Sequence, residues 1–164
     1  MSNQSLIEKT SKIQTKAIFS KDMKKRYLLT MDFGVKGKSA TIIMLYPSAA
    51  DEFVIDQTTM LVRNNAVKQG YSSISIVNLF CGLDNKKPET DRTNSSVIAE
   101  VCNNADIIIV AYGRGSSHEE EKEQLLKALD VYKNKLYTIQ DNSGELFSHP
   151  LSPKARNWIV DKII

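Results

Sequence analysis

The chain is poor in the residues that most often announce a function. Among 164 residues it has two cysteines, two histidines and one tryptophan. Cys81 and Cys102 belong to no CxxC pair and to no Cys/His cluster of ligand spacing. No zinc site and no cofactor are therefore expected, and both thiols read as small buried side chains of a reducing compartment. No apolar run approaches the roughly 18 residues of a membrane span, so no membrane partner is expected. The opening Met1-Ser2-Asn3-Gln4-Ser5 is polar, unlike a secretory signal, and the expectation is a cytoplasmic protein. The GxxxxGK[ST] phosphate loop and the GxSxG nucleophile elbow are both missing, which argues against a P-loop NTPase and against a hydrolase of the elbow type. There is no internal repeat and no low-complexity tract.

What is present is an ordinary globular composition, 41% hydrophobic and 25% charged, enough for one real core. The length suits one domain. An N-terminal arm or helix over residues 1–20 and a single α/β domain over 21–164 are expected. The net charge of +3 is compatible with an anionic ligand and too small to indicate nucleic-acid binding by itself.

Apolar periodicity gives the elements. Leu6, Ile7, Ile13, Ala17 and Ile18 form a helical stripe over 6–19. Strands are expected at 26–31, 41–45, 74–80, 106–111 and 135–139, and helices at 56–69, 94–103 and 119–132. Ser152-Pro153 is a helix-opening signal and predicts a C-terminal helix over 153–164. Strands that alternate with helices argue for a mainly parallel central sheet with helices on both faces. In such sheets ligands bind beyond the carboxyl ends of the strands, so candidate residues should follow each apolar run.

Four such exits carry chemistry. Tyr46-Pro47-Ser48 follows the first buried run, and the proline must end or bend it. Asn78 and Phe80 close the next: the amide offers one donor and one acceptor edge for a base, and the ring offers a stacking face. Tyr112-Gly113-Arg114-Gly115 follows the strongest run. Its glycines let the backbone approach a ligand, and its guanidinium suits a phosphate. His149, in Ser148-His149-Pro150, can donate to a phosphate or carbonyl. His118 reads as a surface residue at a helix start. Asp56 reads as a helix cap that also touches ligand.

The pattern Tyr46-Pro47-Ser48, Asp56-Gln57-Thr58, Asn78-Leu79-Phe80, Tyr112-Gly113 and His149-Pro150-Leu151 resembles a bacterial and phage family known only as a domain of unknown function. More remotely, the same pieces look like the uracil-DNA-glycosylase superfamily. That resemblance implies a uracil-DNA-glycosylase-like fold, with Asn78 at a base pocket and the His149 loop against the substrate. It also puts Tyr46 where those enzymes carry the Asp, Glu or Asn that positions water. A tyrosine, with a pKa near 10, is a poor base at neutral pH, so no glycosylase activity is expected.

The reading is a binding protein for a small anionic nucleotide- or nucleobase-type ligand, with a phage protein that sequesters a nucleotide immune signal as one form it takes. Its ligand residues would be Tyr46, Pro47, Ser48, Asp56, Asn78, Phe80, Tyr112, Arg114 and His149, with no catalytic residue. The alternatives are a divergent N-glycosidase or nucleotide hydrolase, and a DNA- or protein-interaction module. A homo-oligomer is left open.

Overall fold

Each continuous apolar run becomes a strand. In the computed structural model, which describes residues 6–163, these are Arg26–Asp32 (β2), Ser39–Met44 (β3), Ser73–Asn78 (β4), Ile107–Val110 (β5) and Leu136–Gln140 (β6). Gln14–Phe19 (β1) and Ile159–Lys162 (β7) complete one seven-stranded sheet of order β1-β2-β4-β3-β5-β6-β7. The helices are Gln57–Lys68 (α1), Arg92–Asn104 (α2) and Glu119–Leu129 (α3). None of the described helices is long and apolar enough to cross a membrane.

The sheet is mixed, which corrects the expectation of a mainly parallel one. β4, β3, β5 and β6 run parallel to one another. The pairs β1/β2, β2/β4 and β6/β7 are antiparallel. A short connection over residues 20–25 joins β1 to β2, and only an antiparallel pair can be closed by so little chain.

The two added strands lie where helices were expected. Over β1 the burial alternates residue by residue, with Thr15, Ala17 and Phe19 half-buried and Gln14, Lys16 and Ile18 exposed. That is the period of a strand. Leu6 and Ile7 of the expected helical stripe are exposed. The part of the arm over residues 1–5 lies outside the described residues. At the other end Pro153–Ala155 makes a single 3-10 turn. The chain then becomes a strand because α1 captures its backbone. Asn65 donates to the Arg156 carbonyl at 2.9 Å and accepts from the Trp158 N–H at 3.0 Å, and Gln69 donates to the Trp158 carbonyl at 3.1 Å.

Local signals set the helix ends. Asp56 and Asp91 cap α1 and α2 by accepting from the backbone N–H groups of Thr59 and Asn94. Gly70, at a φ of 79°, ends α1. Its N–H bonds to Val67 and that of Tyr71 to Ala66, the paired closure that a left-handed residue permits.

Neighbouring strand residues alternate between two apolar clusters, as the pleat requires. Leu29, Ile42, Ile76 and Ile109 enter one with Val62 and Ala66 of α1 and with Trp158. Leu28, Ile43, Val77 and Ile108 enter the other with Ile98 and Cys102 of α2 and Leu125 and Leu129 of α3.

Asp91 ties the start of α2 to β2, through the Lys25 ammonium at 2.9 Å and the Tyr27 hydroxyl at 3.0 Å. Burial pushes its carboxyl up, but the Asn94 N–H, Lys25 and Tyr27 together hold it below the usual carboxylate range. A carboxyl lowered on folding contributes stability above its unfolded value, near 4, and loses it as pH falls through the folded value. Asp91→Ala should cost about 1–2 kcal/mol at neutral pH, the loss expected for a helix cap. Urea unfolding should show that difference shrinking as the pH is taken below about 4; a difference that does not change with pH would contradict the assignment.

Candidate functional site

The strand order reverses at β3. From β3 the chain crosses to β4 on one side, whereas β5, the neighbour on the other side, leads on to β6. Connections that diverge from adjacent parallel strands leave a crevice beyond their carboxyl ends. Here its two walls are the exit of β3, which carries Tyr46-Pro47-Ser48, and the exit of β5, which runs from Ala111 to His118.

One hydrogen bond spans that crevice. The Tyr46 hydroxyl and His118 Nε2 are 2.6 Å apart. Tyr46 also stacks on Phe80 from the β4 exit, with centroids 5.4 Å apart and planes at 23°. His118 packs edge-on to both rings, at 4.8 Å from Phe80 and 5.9 Å from Tyr46. Its Nδ1 faces Glu121 Oε1 at 3.8 Å. Pro47 is buried behind Tyr46 and Phe80 is 4% exposed.

His118 is the residue that sequence reasoning missed. It is half-buried, not a surface side chain. It occupies the N-cap of α3 at φ 60°, ψ 38° and makes no side-chain capping bond. A non-glycine residue in this left-handed region is uncommon and carries a conformational cost. The imidazole meets Tyr46 through Nε2 while its Nδ1 stays toward Glu121 of its own helix. The available signal was its place: it closes the exit loop of the strongest strand.

Beneath Tyr46 lies a buried polar floor, built by a second missed residue. Arg26 opens β2 and is 1% exposed. Its guanidinium donates to the Ala50 carbonyl at 2.8 Å, to the Ser48 carbonyl and hydroxyl at 3.2 and 3.3 Å, and to Asn78 Oδ1 at 3.3 Å. Burial lowers its pKa to about 10, opposed by the charge of Asp56. Burial raises the Asp56 carboxyl, but bonds from Ser48 and Thr59 and the Arg26 charge leave it below the usual range. Ser48, Asp56 and Asn78 are thus brought together around one cation. Asn78 also holds α2, whose Asn94 side chain donates to its carbonyl at 3.0 Å. Asn78 Nδ2 and Arg26 Nε are buried without a partner among the described residues. An arginine directly before an apolar strand was the legible sign of this centre.

Tyr112, Arg114 and His149 form a separate group at the exits of β5 and β6. Tyr112 stacks on Phe147 at 5.6 Å and 8°, and burial raises its hydroxyl to about 12. Arg114 donates to the buried Asp141 at 2.8 Å and pairs with Glu145. Its charge is therefore answered within the protein. His149 Nδ1 accepts from the Leu151 N–H at 3.1 Å, and burial lowers its pKa. A Cβ on Gly113 would stand 3.5 Å from that of His149, which is how close these two exits come.

Phe80 also lines a groove of about 310 Å³ between α2 and α3. Leu79, Ile98, Leu125 and Leu129 make it apolar, while Thr90, Ser95, Glu121, Gln124 and Tyr132 add polar groups. A volume near 300 Å³ with few polar groups suits a small ligand. Among the described residues no group of three His, Cys, Asp or Glu side chains is placed to hold a metal ion.

Residues 26–151 match the family described as "Protein of unknown function (DUF1643)". The chain belongs to this family. The matched segment runs from Arg26, at the centre of the polar floor, to Leu151 beside His149, and includes every candidate residue. It leaves out β1 and β7, the two edge strands. No curated protein and no solved structure matches the chain.

Because Arg26 satisfies two carbonyls and one side-chain amide out of contact with water, its removal should be severe. Arg26→Met is expected to lower stability by about 3 kcal/mol or more, since charged hydrogen bonds are lost and buried acceptors left unpaired. A denaturant midpoint within experimental error of wild type would show that the floor does not hold the β3 and β4 exits.

Proposed function

We propose that the protein binds a planar, nucleobase-bearing ligand at the carboxyl ends of the parallel strands, in the groove between α2 and α3 that begins at Phe80. The observation that carries this reading is the aromatic wall. Tyr46 stacks on Phe80, and Phe80 lines a groove whose size suits a nucleoside. Stacking recognises every base face, while Ser95, Gln124 and Tyr132, whose present bonds to the Asp91 carbonyl, Glu120 and the Ala99 carbonyl are long at 3.3, 3.3 and 3.4 Å, would exchange them for a base edge. The remote likeness to uracil-DNA glycosylases belongs to the same proposal: it takes helices to lie on both faces of a glycosylase-like sheet and a base pocket to lie beyond Asn78. A cytoplasmic location and a role in sequestering a nucleotide signal fit a binding protein of this kind.

The charges refine the ligand. Arg114 is held by Asp141 and Glu145, and Lys122 donates to the Gly115 carbonyl at 2.6 Å over the face of Tyr112. The groove itself contributes Glu121. These contacts favour a neutral base or nucleoside over a ligand gripped by its phosphate.

Calorimetry with a panel of nucleobases, nucleosides and nucleotides tests the reading. One class should bind, and Phe80→Leu, which keeps an apolar side chain but removes the ring, should weaken it about tenfold, the cost of a lost stacking face. Arg114→Ala should leave that affinity within about twofold, as expected for a charge already paired outside the groove. Equal affinity in wild type and Phe80→Leu would remove the groove from the account, and a large loss in Arg114→Ala would move the site to the β5 and β6 exits.

A further inference from the structure

We propose that Tyr46, His118 and Glu121 form a proton relay at the mouth of the groove, so that the protein acts chemically on its ligand as a general base. The ligand class, a base with a weakly acidic ring N–H of the lactam or imide type, rests on the reading above. The relay itself rests on separate geometry. Tyr46 and His118 meet at 2.6 Å across the crevice where the strand connections diverge. His118 Nδ1 faces Glu121. Glu121 and Phe80 both line the groove, so the relay and the ligand space share a boundary.

Three features set this pair apart from ordinary packing. The imidazole occupies a helix N-cap yet accepts no bond from the N–H groups of the first turn, and its backbone stays in the left-handed region. A helix start wants an oxygen acceptor there, so a histidine at this position is a poor choice for stability alone. The phenol is half-buried, and its oxygen meets an imidazole nitrogen at hydrogen-bonding distance. Finally, the order of groups is that of an activated nucleophile: an O–H, a histidine that can take its proton, and a carboxylate facing the other ring nitrogen. The tyrosine that makes glycosylase chemistry of the water-positioning kind unattractive is here paired with a base of its own.

The chemistry follows from the tautomer this order favours. Tyr46 donates to Nε2, and the Nδ1 proton points toward Glu121. When a ligand N–H approaches the phenol oxygen, the ligand proton passes to that oxygen. The phenolic proton passes at the same time to Nε2. The products are the ring anion of the ligand, a neutral tyrosine and an imidazolium faced by the Glu121 carboxylate. Two protons shift in concert, the net result is transfer of one from ligand to imidazole, and the step needs no further reactant. Glu121 acts as a positioning residue, through His118.

The reactivity of Tyr46 can be read without knowing the ligand. The full chain is treated with 4-(2-aminoethyl)benzenesulfonyl fluoride and the modified tyrosines are mapped by mass spectrometry over time. In the labelling reaction a Tyr46 O–S bond forms, the S–F bond breaks, fluoride leaves and the phenolic proton goes to His118. Tyr132 and Tyr137 are also half-buried and serve as internal references. Tyr46 should label at least about tenfold faster than these, a modest share of what a positioned base contributes. His118→Phe, which preserves an edge-on ring, should bring Tyr46 down to the reference rate, and Glu121→Gln should slow it severalfold with an unchanged melting temperature. If His118→Phe does not fold, His118→Gln keeps a polar contact without a titrating ring and should give the same loss. Tyr46 labelling no faster than the references, or labelling that survives loss of the imidazole in a folded variant, overturns the relay. Selective labelling in a protein that binds no nucleobase upholds the relay and sinks only the ligand class. Nucleobase binding without selective labelling sinks the relay and leaves the binding reading intact.

Discussion

The arrangement at the carboxyl ends of the strands depends on one buried guanidinium. Arg26 reaches from β2 beneath the exit of β3 and touches the side chain that closes β4. An arginine 1% exposed, with no carboxylate in direct contact, is costly to bury. It is tolerated because carbonyls, a hydroxyl and an amide surround it and Asp56 supplies a nearby countercharge. Those acceptors come from the loop that leaves β3 and from the last residue of β4. Once both are fixed to Arg26, Tyr46 and Phe80 leave adjacent strands in register, Met44 opposite Asn78, and their rings stack.

The topology then supplies what a single loop cannot. Because β3 sends its connection one way and β5 the other, the two exits face across an open crevice instead of being covered by a helix. Tyr46 stands on one side and His118 on the other. The separate group of Tyr112, Arg114 and His149 closes the adjacent exits with a stacked ring pair and a two-carboxylate clasp. Such internally satisfied contacts shape a loop. Open space lies instead on the Phe80 side, in the groove between α2 and α3.

How much of this could be read from the sequence follows from the range of the interactions. β3, β4 and β5 were legible because a strand buried on both faces is a continuous apolar run. Asp56 and Gly70 marked the ends of α1 through purely local chemistry. β1 was lost because its alternation runs through Gln14, Thr15 and Lys16, residues too polar to stand out. β7 was lost because Asn65 and Gln69, about ninety positions away, decide what the chain does at Trp158. The sequence marks the strand exits as places but not their pairings: Tyr46 finds His118 72 residues later, and Asn78 finds Arg26 52 residues earlier. Arg114 offered a free cation on paper, and only the fold brings Asp141 and Glu145 to it.

The central claim is that the ligand space of this family member lies on the Phe80 side of the strand exits. Backbone amide NMR of the full chain, titrated with a nucleoside panel, addresses it without any substitution. The account predicts shifts concentrated at Leu79, Phe80, Ser95, His118 and Gln124, with Arg114, Glu145 and His149 unmoved. Shifts confined to the Arg114, Glu145 and His149 loops, or none with any nucleoside at millimolar concentration, would contradict it.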